Sequence, residues 1–391
     1  MTSTPSTRSG DVRCPVCGAP GIPIEYGMLS SELFEAAERG EVALGGCGVS
    51  NDNPAHECPC GHRWGAYGDF DDGNEMDLED ESVDRAVGAV LGVQAGDSLG
   101  ATLEFMDAAA IAERHPGVLR DIVGGGPFNW PAGAPTDDTD LTWAVAQGYL
   151  DVAPAAATDA AAGPDGTAAV VRAVGERMLE WFDGDPRDIG GTTRSALSAV
   201  RRTGDPTTSG RTDDSSQANG SLMRTMAVAV ARLNRPAERK ADARAVSAIT
   251  HAHPVCLDAC EIYCDLAVAL IRGASPDEAV SEALGASPSP EISAVVEQAW
   301  AASAVADLPG PHGGYVLWSL RLAVWALHQE TSLEDTLVAV LDTGGDTDTN
   351  GAIAGGLLGA HHGAAAIPDR WRRMLQLADE LERFARTVLT L

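Results

Sequence analysis

Two short stretches concentrate oxygen donors just ahead of apolar runs. PTDDTDLTWAVAQGYL supplies Thr136, Asp137 and Asp138, and LDTGGDTDTNGAIAGG supplies Asp346, Asp348 and Thr349. One such cluster is what a helix start requires, because Asp and Thr accept hydrogen bonds from free N–H groups and complement the helix dipole. Two clusters brought together hold four carboxylates, which repel one another unless a cation lies among them. The donors are hard oxygens with no Cys or His, a set that suits Mg2+ or Mn2+ better than zinc. Two such ions side by side can activate a water and hold vicinal hydroxyls of a substrate. Residues two apart point nearly opposite ways on a regular helix, so Asp346 and Asp348 converge only in a turn or cap, which Gly344 and Gly345 permit. Caps and a shared cation site both remain open here, since spacing does not show that the two clusters meet.

The elements that must position these residues are helical. From Val83 onward RAVGAVLGVQAG, AVVRAVGERMLEWF, SLMRTMAVAVARL, VCLDACEIYCDLAVALI and YVLWSLRLAVWALH space their apolar residues by three and four. Thr, Asp or Ser precedes several of them, and Gly or Pro punctuates the joins. No run alternates as strands do, so the body is predicted to be all-α, with many Ala and Gly residues allowing close helix packing. Cys256, Cys260 and Cys264 fall on one helix face, where free thiols act as small apolar groups.

Composition divides the chain into a Cys/Gly/Pro-rich head over residues 1–68, an acidic joint over 69–82 and the helical body over 83–391. The joint DFDDGNEMDLEDE reads as a solvated linker. In the head, CPVCG brings Cys14 and Cys17, and HECPCGHRW brings Cys58 and Cys60: two knuckles of the kind that close a tetrahedral Zn2+ site. The C-x-C spacing departs from C-x-x-C, so Cys47, His56 and His62 are alternative ligands. A segment this small has little core of its own, and a structural zinc would supply the missing stability. With 27 Lys+Arg against 57 Asp+Glu the formal charge is −30, which repels phosphate backbones and anionic membranes and excludes extended nucleic-acid binding. No signal-peptide core or membrane-length apolar run is evident, and a soluble cytoplasmic protein is expected.

The ordered segments GVQAGDSLGATLEF, WPAGAPTDDTDLTWA, DIGGTTRSAL, QANGSLMR, THAHP, GGYVLWSLRLAVWAL and GGDTDTNGAIAGGLLGAHHG resemble the ADP-ribosylglycohydrolase family from about Val83 to near the C-terminus. The resemblance implies a binuclear magnesium site held by Thr136, Asp137, Asp138, Asp346, Asp348 and Thr349, with Asp138 and Asp348 central to catalysis. It implies that Glu104 acts in catalysis from a loop beside the metals. It places Asn219, Gly220 and Ser221 along the ADP-ribose cleft and His251 near the diphosphate; Asp97, Gly344 and Gly345 join the substrate-contacting set. Asp97 reads equally as a cap that fixes the Glu104 loop. Asn350, where relatives usually carry an apolar residue, is a departure, and the head is not part of the family's common domain.

The expected activity is hydrolysis of an N- or O-glycosidic bond that links ADP-ribose to a modified macromolecule, with the head as a targeting or partner-binding module. Carboxylates stabilise the oxocarbenium-like charge such cleavage builds. A hydrolase of a small ADP-ribosyl metabolite and a non-catalytic ADP-ribose reader are the alternatives. Gly124 to Gly126 read as a turn or a phosphate-approaching loop, and Phe128 and Trp130 as an adenine stack or packing.

Overall fold

A computed structural model describes residues 78–156, 164–309 and 313–390 and, ahead of these, residues 14, 17, 19–26, 36–37, 39–40, 42–46 and 54–66. The chain forms two compact units, Met1–Asp77 and Leu78–Leu391.

The described residues of the first unit build a small sheet from β1 (Ile22–Tyr26), β2 (Ala43–Gly46), β3 (Pro54–Glu57) and β4 (Arg63–Ala66), in the order β2-β1-β3-β4. β1 runs parallel to β2 and antiparallel to β3, which pairs antiparallel with β4. Two tight turns hold the cysteines: Cys14 N–H donates to Ala19 O at 2.9 Å, and Gly61 N–H to Cys58 O at 2.8 Å.

The second unit is all-α. Its helices are α1 (Leu78–Gly100), α2 (Ala108–Arg114), α3 (Asp137–Ala156), α4 (Pro164–Asp183), α5 (Gly191–Thr203), α6 (Met226–Ala231), α7 (Pro236–Ala248) and α8 (Pro254–Ile271). They continue with α9 (Pro276–Gly285), α10 (Pro290–Ala301), α11 (Val316–Leu327), α12 (Leu333–Leu341), α13 (Thr347–His362), α14 (Asp369–Arg372) and α15 (Ala378–Leu389). Among the described residues no helix is long and apolar enough to cross a membrane. Helix α1 starts at Leu78, ahead of Val83 and inside the stretch that composition marks as a joint. Acidic residues complement a helix N-terminus, so Glu81 is at home near its start.

The centre of this unit is the pair α1 and α13, flanked by α11, α12 and α15. Glycines recur every fourth position on both helices, at 88, 92, 96 and 100 and at 351, 355 and 359, so each carries a side-chain-free stripe along one face. The stripes meet backbone to backbone: a Cβ on Gly92 would stand 2.1 Å from Gly355 O, and one on Gly355 would stand 2.3 Å from Gly92 O. This contact brings the C-terminal end of α1, with Asp97 and Glu104 nearby, to the N-terminal end of α13, with Asp346 and Asp348. Cys256, Cys260 and Cys264 are buried on α8 and pack their Sγ atoms on Ala218 O, Ser221 Oγ and Thr225 O.

Candidate active site

The two acidic clusters converge. Thr349 Oγ1 lies 3.3 Å from Asp138 Oδ2, and Thr136 Oγ1 donates to the same carboxylate at 3.0 Å. Carboxylate oxygens of Glu104, Asp188 and Asp348 lie within 4.8 Å of one another. These groups border a cavity of about 360 Å3 lined also by Asp137, Asn219, Gly220, His251, Gly345, Asp346 and Thr349.

Capping does not account for the carboxylates. At the start of α3 Thr136 Oγ1 accepts from Asp138 N–H at 3.2 Å, and Asp97 receives the N–H groups of Thr136 (3.1 Å) and Thr139 (3.2 Å) and the Thr139 hydroxyl. Asp346 occupies the N-cap position of α13, yet its side chain makes no cap bond. Instead Asp346 Oδ2 accepts from Asn219 Nδ2 at 2.7 Å. Asn219 also donates to Ser319 Oγ at 3.0 Å, and that hydroxyl donates to Asn350 Oδ1 at 2.7 Å. The polar Asn350 thus anchors a buried chain of hydrogen bonds that ends on Asp346.

The electrostatics suit a cation. Asp138 Oδ1 and Glu104 Oε2 are buried with no hydrogen-bond partner. Among the described residues, no ion pair involves Glu104, Asp137, Asp138, Asp188, Asp346 or Asp348. Burial, reinforced by the neighbouring carboxylates, pushes Asp137, Asp138 and Asp348 far above the usual range. Glu104 is raised to about 8 by burial first and then by Asp188, Asp346 and Asp137. Burial raises Asp97 to about 7 against the opposing hydrogen bonds of Thr139 and Thr136. Buried carboxylates with no counter-charge are costly unless a proton or a metal neutralises them. An all-oxygen set of this kind fits a hard divalent cation.

The Glu104 loop is pinned to the turn before α13: Phe105 N–H donates to Gly345 O at 2.8 Å and Gly345 N–H to Met106 O at 2.7 Å. A Cβ on Gly344, whose φ is +75°, would stand 2.5 Å from Met106 O, so only glycine permits this approach. His251 is buried, and burial followed by the Arg224 charge lowers it to about 3, which keeps the imidazole neutral. Thr250 Oγ1 accepts from Arg224 Nη2 at 2.8 Å and lies 2.7 Å from His251 Nδ1.

Three residues expected to contact substrate make other contacts in the structure. Asp97 is fully buried and serves as the cap described above. Ser221 is buried and takes its hydrogen bond from Ser247 Oγ at 2.9 Å. Gly344 forms the turn and packs on Met106. None of the three lines the cavity. Nor do Gly124, Gly125 and Gly126, which form a turn closed by the Gly125–Trp130 bridge. In exchange, Asp188 and the segment Gly190–Thr193 do line it. Gly190 is the N-cap of α5 and has no side chain to satisfy the helix's first N–H groups, a geometry that receives anions. The signal was present in DIGGTTRSAL, an acid and a glycine pair ahead of a helix.

In the head, the Sγ atoms of Cys14, Cys17, Cys58 and Cys60 lie within 4.8 Å of one another. Cys17 and Cys58 are 3.7 Å apart, close to the ~3.8 Å edge that four Zn–S bonds impose; Cys58 and Cys60 are closer, at 2.8 Å. His56 and His62 are outside this cluster, and Cys47 lies outside the described residues.

With an all-α body, an acidic cleft and an anion-receptive helix end in place, the class is defined: the chain belongs to the ADP-ribosylglycohydrolase family, whose sequence profile matches residues 78–391. Among its relatives is the ADP-ribosyl-[dinitrogen reductase] glycohydrolase of Rhodospirillum rubrum, 30% identical over 76% of this chain and 92% of that protein. Another is the ADP-ribosylarginine hydrolase Tri1 of Serratia proteamaculans (strain 568), 27% identical over 78% of this chain and 79% of its own. A solved structure titled "ADP-ribosylglycohydrolase-related protein complex" superposes with a TM-score of 0.65 at 30% identity, covering 79% of this chain and 98% of that one.

Proposed function

We propose that the chain is a Mg2+- or Mn2+-dependent hydrolase that releases ADP-ribose from a modified arginine side chain of a protein. The observation that carries this reading is the contact of buried Asp138 with Thr349, which lines a cavity bordered by the carboxylates of Glu104, Asp137, Asp188, Asp346 and Asp348. Thr136, Asp137, Asp138, Asp346, Asp348 and Thr349 would hold two divalent ions, with Asp188 beside them. When bound, the ions supply Lewis acidity and a water of lowered pKa. The chain's own residues do the rest. The N-terminus of α5 and the buried His251 imidazole receive the diphosphate, and Asn219 orients Asp346. Water oxygen bonds to the anomeric carbon as the bond from that carbon to the acceptor nitrogen breaks, and the water's proton passes to the leaving nitrogen. Glu104, with one oxygen unpartnered at the cavity, moves that proton. The carboxylates stabilise the positive charge that develops on the ribose.

The test is a panel of arginine-, serine- and nucleobase-linked ADP-ribosyl substrates with Mg2+ and with excess EDTA. Release of ADP-ribose from the arginine-linked substrate in Mg2+ alone is expected. Full activity in EDTA, or tight ADP-ribose binding without turnover of any linkage, overturns the reading.

We further propose that the four head cysteines hold one structural Zn2+. Metal analysis is expected to find about one equivalent of zinc per chain, lost in Cys58→Ser. Less than about half an equivalent in the unaltered protein rules the site out.

A further inference from the structure

Phe105 combines two costly features. It is 67% exposed, and its φ of +64° lies in the left-handed region that a bulky side chain rarely adopts. It follows Glu104 directly, borders the cavity and is locked in place by the bond to Gly345 O. Its ring is one end of a ladder. Phe105 meets Phe128 edge-on, with centroids 6.2 Å apart and planes at 67°, and Phe128 meets Trp130 at 6.3 Å. The far end is already capped: the Arg187 guanidinium lies 5.1 Å from the Trp130 centroid and donates to Asn129 O at 3.0 Å. The near end is open to solvent beside Glu104 and Asp188.

An aromatic face attracts a planar cation, and the carboxylates beside it repel an anionic acceptor. We propose that Phe105 is the acceptor platform, on which the guanidinium of the modified arginine stacks while ADP-ribose fills the cavity, much as Arg187 stacks on the other end of the ladder. This inference rests on the functional reading given above. It makes Phe105 a specificity determinant: a neutral acceptor such as serine gains little from the ring.

The experiment compares wild type, Phe105→Leu and Phe105→Tyr on an ADP-ribosylarginine peptide, with free ADP-ribose as competitor and thermal melting as a folding control. Leu keeps the Cβ and the bulk, so the backbone strain is unchanged. The expected result for Phe105→Leu is a KM for the arginine peptide raised about tenfold, with little change in kcat or in inhibition by free ADP-ribose. Phe105→Tyr, which keeps the ring, is expected to restore KM. A wild-type KM in Phe105→Leu overturns the proposal. So does an equal loss of ADP-ribose inhibition, which would put the ring against the nucleotide. A wild type inert towards the arginine peptide overturns the functional reading itself and this inference with it, and that result is visible before any variant is made.

Discussion

Asp348→Asn is expected to slow release of ADP-ribose by at least about a thousandfold, or about 4 kcal/mol of transition-state stabilisation, in a protein that still folds. Asp348 is 1% exposed, and its oxygens lie among those of Glu104 and Asp188. Its Oδ1 accepts from Thr349 N–H at 2.9 Å, a bond that an asparagine carbonyl can also accept. The substitution keeps shape and that bond and removes the charge. The same carboxyl is pushed far up by burial and then by Asp138, Asp346 and Glu104. Removing it therefore relieves repulsion in the metal-free protein, whose melting temperature should be unchanged or higher. Asp138→Asn should behave alike, because its Oδ1 is buried without a partner. Turnover of either variant within about tenfold of wild type at saturating Mg2+ would sink the assignment of these carboxylates as cation ligands.

Gly92→Ala is expected to destabilise the fold by at least about 3 kcal/mol, beyond the usual cost of overpacking, because the obstacle is backbone. The added carbon would meet Gly355 O at 2.1 Å and Gly355 C at 2.8 Å. A flexible side chain could swing away; a helix backbone yields only if α1 and α13 separate along their length. Gly117→Ala and Gly285→Ala, where an added Cβ meets nothing within 4 Å, are the controls and should shift stability by no more than about 0.5 kcal/mol. Urea midpoints compare the three. Gly92→Ala within about 1 kcal/mol of the controls would show that the helix pair adjusts freely.

The helical body was legible because three- and four-residue spacing reports directly which faces are buried. The acidic clusters were legible from spacing as oxygen-rich helix starts, and only the family resemblance joined them into one site. That meeting depends on α1 and α13 touching, and a stripe of glycines has no apolar signal to count. Asp97 was ambiguous because cap and ligand use the same side chain; which one it is depends on whether the N–H groups of Thr136 and Thr139 face it. Asp188 passed unnoticed because a single acid before two glycines looks like any turn until the cavity is seen behind it. The start of α1 at Leu78 was hidden for a related reason: an acidic run suits both a linker and a helix N-terminus.

The glycine contact between α1 and α13 also governs how the protein is made. A ribosome delivers α1, Glu104 and the Thr136 cluster long before α13 leaves the exit tunnel. Until then a nascent chain lacks Asp346, Asp348 and Thr349 and the helix that packs along the glycine stripe of α1. A chain cut short before α13 is therefore expected to lose fold and site together.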